Sequence, residues 1–290
     1  MSLALCCRKK VTIEKLNDVG MNNNHVEECE GFRSCFNLSS LGQIISHSTS
    51  LLRLNLSGNQ IDDDQIVKWM QSMITTGNND VPCLTYLNMS HNKITTYGMR
   101  LIINHFLQCK TTDMDELTKS KNGYKPDESL EENDVSVLST LILSDNRIHA
   151  EGGRCIERVL RKNTSLVKLD LSMNRLEDSG GKMIIEGLLI NTTLCELNLS
   201  SNCLGSKSAT MMCTLLSSQE EEHVNNPLSW LDLSCNSFHQ IDISRLVSSL
   251  EKRVSPTLMH FDIRSNAGVI GYDLKERIDS VICRNRSKNN

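Results

Sequence analysis

Between residues 138 and 204 the apolar positions recur in a fixed frame. Leu138, Leu166 and Leu194 stand 28 residues apart, and each opens the string Leu-x-x-Leu-x-Leu-Ser-x-Asn-x-(Ile or Leu). The string is carried by Leu141, Leu143, Ser144, Asn146 and Ile148, then by Leu169, Leu171, Ser172, Asn174 and Leu176, then by Leu197, Leu199, Ser200, Asn202 and Leu204. A fixed period of this length marks a solenoid, in which each unit buries its apolar face only against its neighbours. The frame extends both ways, to starts at Leu51, Leu84, Leu228 and Leu258, with Asn59, Asn92, Asn236 and Asn266 at the asparagine position. Seven repeats are therefore visible.

Within each repeat the apolar period changes. Leu-x-Leu places two side chains on one face of a strand, whereas a pair four residues apart lies on one stripe of a helix. Such pairs follow eighteen and twenty-two residues after six of the starts: Trp69 and Met73, Ile102 and Phe106, Ile156 and Leu160, Ile184 and Leu188, Met212 and Leu216, Leu246 and Leu250. Each unit is thus predicted to run strand, asparagine turn, helix, with the helix covering the strand's apolar side. Gly98, Gly152 and Gly180, fourteen residues after their starts, are expected near the helix starts, where a small residue lets neighbouring helices approach.

At 290 residues and 39% hydrophobic content the chain could form one large domain or two smaller ones, and the repeat selects one elongated domain. Spacings between starts run 33, 54, 28, 28, 34 and 30 residues, and every excess falls between a helix pair and the next strand. Insertions therefore leave one edge of the solenoid. The largest, at 110–134, holds eight acidic residues among few apolar ones and reads as a mobile loop or a docking element for a basic partner; a smaller one contains Glu220, Glu221 and Glu222. Residues 1–50 are expected to cap the first turn. Within them 38–48 resemble the helix of an incomplete repeat, since Leu41 and Ile45 precede Leu51 as Ile156 and Leu160 precede Leu166, and the run Asn22 to Asn24 reads as loop. The solenoid is expected over 51–283 and a polar tail over 284–290.

Charge and special residues narrow the function. A net charge of −4 with dispersed Lys and Arg gives no footprint for nucleic acid. No run approaches the ~18 apolar residues of a membrane span. Leu3 to Cys7 is followed by Arg8, Lys9 and Lys10, the reverse of a secretion signal's order, so a cytoplasmic protein is expected. Several of the twelve cysteines fall at core positions, such as Cys155 beside Ile156 and Cys213 beside Met212, which favours free thiols over disulfides. There is no Cys-x-x-Cys pair, and Cys29 and Cys35 lack partners at zinc spacing, so neither a metal nor a cofactor is expected. Cys6 and Cys7 ahead of the basic cluster read as an acylation site or as a plain disordered end. The sequons at Asn55 and Asn198 are by-products of the repeat.

The Leu-Ser-x-Asn core with glycine fourteen residues after the start resembles the ribonuclease-inhibitor-like class of leucine-rich repeats over about residues 51–270. That class includes ribonuclease inhibitor, Ran GTPase-activating protein, the sensing domains of NOD-like receptors and several ciliary regulatory subunits. The resemblance implies an α/β fold: a right-handed leucine-rich-repeat solenoid, or horseshoe, with a parallel concave sheet and convex helices. It also implies that the repeat asparagines bond backbone groups of neighbouring turns as a ladder.

Strand residues between the leucines are expected to face the concave side. One column reads Arg53, Tyr86, Thr140, Lys168, Glu196, Trp230, His260; the next reads Asn55, Asn88, Ile142, Asp170, Asn198, Asp232, Asp262. A third is serine in six repeats and ends in Arg264, and serine there reads as part of the turn. Seven strands spaced ~4.8 Å apart make a face roughly 29 Å long, enough for one helix or one small protein surface. Trp230 has the character of an interface anchor, unless an edge loop or the C-terminal segment covers it. The candidate partner-binding residues are Trp230, Asp232, His260, Asp262, Asp170, Glu196 and Lys168. Three functions compete. The first is a non-catalytic protein-binding scaffold or regulatory subunit that recognises a protein partner on its concave face. The second is a GTPase-activating protein resembling the Ran GTPase activator, against which stands a basic chain end, Arg284 to Lys288, where that family is strongly acidic. The third, a hydrolase, has His, Asp and Ser only as repeat columns in an open sheet without a pocket. Among the family's partners, a small GTPase and a cytoskeletal or ciliary assembly fit the first two.

Overall fold

A computed structural model describes residues 12–14, 38, 51–74, 84–107, 136–217, 226–252 and 257–289. The insertion at 110–134, Glu220 to Glu222, Asn22 to Asn24, all but Leu38 of the expected cap helix, and Cys6, Cys7, Cys29 and Cys35 lie outside these residues.

Seven strands occupy the frame that the leucines set, each three residues long: β2 (Arg53–Asn55), β3 (Tyr86–Asn88), β4 (Thr140–Ile142), β5 (Lys168–Asp170), β6 (Glu196–Asn198), β7 (Trp230–Asp232) and β8 (His260–Asp262). They pair in parallel and in chain order, so that each column residue lies opposite its counterpart on the next strand. An eighth strand that no repeat announces, β1 (Thr12–Glu14), runs antiparallel along β2, with Ile13 opposite Leu54. It covers the edge of β2 and becomes the sheet's first edge itself, a strand of only three residues that leaves a short row of backbone groups open to pairing with other chains.

Seven helices follow the strands: α1 (Asp63–Ile74), α2 (Thr96–Phe106), α3 (Ala150–Lys162), α4 (Glu177–Leu188), α5 (Ser206–Ser217), α6 (Gln240–Lys252) and α7 (Tyr272–Asn289). All six i, i+4 pairs are buried, as are the central leucines of the strands, in one core that runs the length of the solenoid. The last helix uses a different phase and buries Leu274, Ile278, Val281 and Ile282 over the final turn. It continues through residues 284–289, where Asn285 is buried and its Nδ2 donates to Leu258 O.

What ends each strand after three residues is the turn. In all seven repeats the residue before the ladder asparagine is left-handed: Gly58 has φ 69°, and His91, Asp145, Met173, Ser201, Cys235 and Ser265 lie between 50° and 56°. A left-handed residue reverses the chain at once and aims the next side chain back under the sheet. Asn174 shows the result. Its Nδ2 donates to Leu171 O and Ser172 O in its own turn and to Leu143 O of the turn before, and its Oδ1 accepts from Ile148 N–H. Asn92, Asn146, Asn202, Asn236 and Asn266 each repeat this bridge from Oδ1 to a preceding-turn N–H and from Nδ2 to a preceding-turn carbonyl.

Glycines set how closely the helices lie. A β-carbon on Gly180 would sit 3.0 Å from the Ala150 backbone, and one on Gly98 would fall 2.4 Å from Asp63 Oδ1. At Gly152 the obstacle is Ile148 of its own turn, 2.5 Å away. The closest backbone approach belongs to its neighbour Gly153, which meets Gly180 across α3 and α4. Acidic residues join neighbouring repeats at the helix starts. Asp178 at the start of α4 accepts from Gly205, Lys207 and Ser208 N–H at the start of α5, while Asp63 accepts from Thr95 N–H, the cap of α2. Burial pushes the Asp178 carboxyl up, but these three N–H bonds, together with the Ser208 side chain, outweigh it and hold the group below its ordinary value of 3.8.

Candidate protein-interaction face

The first column is arranged as contacts between partners on adjacent strands. The Arg53 guanidinium lies 3.9 Å over the Tyr86 ring, Lys168 Nζ reaches Glu196 Oε2 at 2.6 Å, and Trp230 stacks on His260 with ring centroids 4.8 Å apart and planes 6° from parallel. The stacking distance matches the usual strand spacing, because in-register parallel strands hold like positions side by side. Trp230 is half-buried, one ring face being taken by His260.

The second column does something its sequence did not announce. Asn55, Asn88, Asp170, Asn198, Asp232 and Asp262 each accept, through Oδ1, the N–H two residues on, at Ser57, Ser90, Ser172, Ser200, Ser234 and Arg264. This local bond starts the turn, and it explains why the column alternates between Asn and Asp with Ile142 the exception. The third-column serines are turn residues too: Ser172 and Ser200 add hydroxyl bonds to the same oxygens.

Of the seven candidate residues, four gather on the last two strands and three on β5 and β6. Their charges are unevenly satisfied. Glu196 is paired with Lys168, and Asp262 is buried and gripped by Arg264 Nε and Nη2. Burial alone would raise the Asp262 carboxyl; the Arg264 side chain and N–H prevail and lower it. Among the described residues Asp170 and Asp232 form no ion pair, and their hydrogen bonds engage Oδ1 alone. Beside the sheet, His91 Nδ1 and Asp145 Oδ2, both exposed, meet at 2.7 Å.

Among the described residues no three His, Cys, Asp or Glu side chains come together to hold a metal ion, and no helix is long and apolar enough to cross a membrane. The six described cysteines are free: Cys155 is buried, Cys195 and Cys213 are half-buried, and Cys203, Cys235 and Cys283 are exposed. Burial pushes the Cys155 thiol up.

A further asparagine set went unread in the sequence. Asn191, Asn226 and Asn285 are buried near the ends of helices, and their Nδ2 groups donate to Leu160, Leu188 and Leu258 carbonyls. The available signal is an asparagine two or three residues before a repeat start, as at Asn163, Asn191 and Asn226.

Five segments of the sequence, 47–64, 82–102, 136–156, 162–184 and 191–213, match the family described as Leucine Rich repeat. No curated protein matches the chain. Among solved structures it is similar to Leiomodin-1 Actin-Binding Site 2 (18% identity, TM-score 0.44, 52% of this chain and 83% of that one). It is also similar to the tropomodulin C-terminal domain of Caenorhabditis elegans (17%, TM-score 0.42, 52% and 86%) and to an internalin of Listeria monocytogenes (13%, TM-score 0.25, 84% and 86%).

Proposed function

As a member of the leucine-rich-repeat family, the chain offers one open sheet face, and we propose that it is a non-catalytic scaffold or regulatory subunit that binds a protein partner there. The observation that carries this reading is the stacked Trp230 and His260 pair beside Asp232 on the last strands. An aromatic held rigid by its neighbour loses little conformational freedom on contact, which suits it to anchor an interface. The side chains of this face serve the fold or one another: carboxylates start turns, lysine pairs with glutamate, and the histidine ring lies against an indole. None is positioned as a nucleophile with a base behind it.

The test begins with affinity purification from the native cell. Once a partner is in hand, Trp230→Ala should weaken binding about thirtyfold or more, while Arg53→Ala at the far end changes it little. Equal affinity of both variants and the parent chain would move the contact off the concave face. A GTP-hydrolysis assay with a panel of small GTPases is expected to show no acceleration; stimulated hydrolysis would favour the GTPase-activator reading instead.

A further inference from the structure

We infer that the concave face takes a basic helical segment of its partner, laid across the strands with two cations about two turns apart over Asp170 and Asp232. The inference rests on the concave-face reading and gives it a ligand chemistry. After Lys168 cancels Glu196 and Arg264 cancels Asp262, the C-terminal half of the face keeps two negative charges, at Asp170 and Asp232. In each, Oδ1 is used by the turn and Oδ2 receives no bond among the described residues. The surplus is therefore acidic and outward, and it calls for a cationic occupant.

Spacing decides the occupant's conformation. Asp170 and Asp232 lie two strands apart with Asn198 between them in register, so their carboxylates are about 10 Å apart along the sheet. On a helix, residues i and i+7 are separated by roughly 10.5 Å and project within about 20° of each other. An extended segment offers same-side spacings of about 6.6 or 13 Å, and neither fits. The strands are three residues wide, about 10 Å, which is also the diameter of a helix. A helix seated over the second column leaves Trp230, in the first column of the same strand as Asp232, to pack against its flank.

Three helical peptides of about twenty residues provide the probes: one with arginines at i and i+7, an isomer with arginines at i and i+4, and a glutamate version of the first. The chain has two tryptophans, and since Trp69 is fully buried, a fluorescence change on binding reports Trp230, with Trp230→Phe as the silent control. The i, i+7 arginine peptide should bind several-fold tighter than its isomer, and more weakly as salt rises. Asp170→Asn and Asp232→Asn should each weaken it roughly two- to fivefold, and the double variant should erase the preference. These variants keep the turn, because Asn55, Asn88 and Asn198 already make the same bond in that column. No binding, equal binding of the two arginine isomers, or equal binding of the glutamate peptide would overturn the inference. The wider reading is judged separately by the native partner. If Trp230→Ala weakens that complex while Asp170→Asn and Asp232→Asn do not, the concave face stands and the basic helix falls; if none of the three matters, both fall.

Discussion

A β-carbon on Gly153 would stand 2.4 Å from the carbonyl oxygen of Gly180 and 2.6 Å from its α-carbon. Two helices of adjacent repeats therefore touch backbone to backbone, and no side-chain rotation can relieve a substitution. Gly153→Ala should destabilise the protein by about 1 to 3 kcal/mol, since overpacking outweighs the helix propensity gained. Gly271→Ala, where nothing lies within 4 Å, should change stability by less than about 1 kcal/mol. Urea midpoints for the two variants check this; a neutral Gly153→Ala would mean that α3 and α4 can slide apart freely.

The ladder predicts a larger loss. Asn174→Ala removes three donated bonds and strands the N–H of Ile148 inside the core. Each unpaired buried group costs about 1 to 3 kcal/mol, so a total of at least about 2 kcal/mol is expected. An unchanged melting temperature would refute the ladder at this position.

Acid should weaken the fold through His105. The residue is half-buried, its Nε2 is buried with no hydrogen-bond partner among the described residues, and the ring sits edge-on to Phe106 at 4.8 Å. Burial lowers its pKa from 6.5 to about 4. The unfolded chain then takes up the proton first, so this contribution to stability is whole above pH 6.5 and is lost as pH falls from there towards 4. By pH 5 the loss amounts to about 2 kcal/mol. Urea unfolding at pH 7 and pH 5 should show a smaller drop for His105→Leu than for the parent chain; equal drops would place the acid sensitivity elsewhere.

The two aromatic residues of the last strands should couple. If the His260 ring holds Trp230 in its binding orientation, His260→Ala weakens partner binding, and its effect in a double-mutant cycle with Trp230→Ala is non-additive by about 0.5 to 1.5 kcal/mol. Strict additivity would mean that the stack plays no part in recognition.

The leucines and asparagines made the architecture readable because a repeat writes its geometry seven times. All seven strands begin two residues after the predicted starts, and every predicted i, i+4 pair is buried. What stayed hidden follows from interactions outside the repeat's consensus. The left-handed turn residue is Gly58 once and otherwise any of His, Asp, Met, Ser or Cys, so no residue type reveals it. Asp178 and Gly205 are 27 residues apart, and a cap reaching across that distance has no local signature. Strand β1 runs against the repeat's direction, and Thr12 to Glu14 has no leucine frame to mark it. At the candidate face the residues were identifiable but not their pairing. Asp170 and Asp262 look alike in sequence, yet only Asp262 is neutralised, because arginine replaces serine two residues later.

The pairing of Tyr86 with Thr140 joins positions 54 residues apart, nearly twice the separation of Lys168 and Glu196, yet the register is the same. Asn146 Nδ2 bonds Met89 O across this seam as its counterparts do across the shorter ones. Doubling a connecting loop adds only about 0.6 kcal/mol of closure entropy. The seam between β3 and β4 thus closes over a connection nearly twice as long as its neighbours', and lengthening that connection further, even by a reporter domain, is expected to leave Tyr86 opposite Thr140. The inward columns of the sheet, on strands that this connection only joins, would be left as they were.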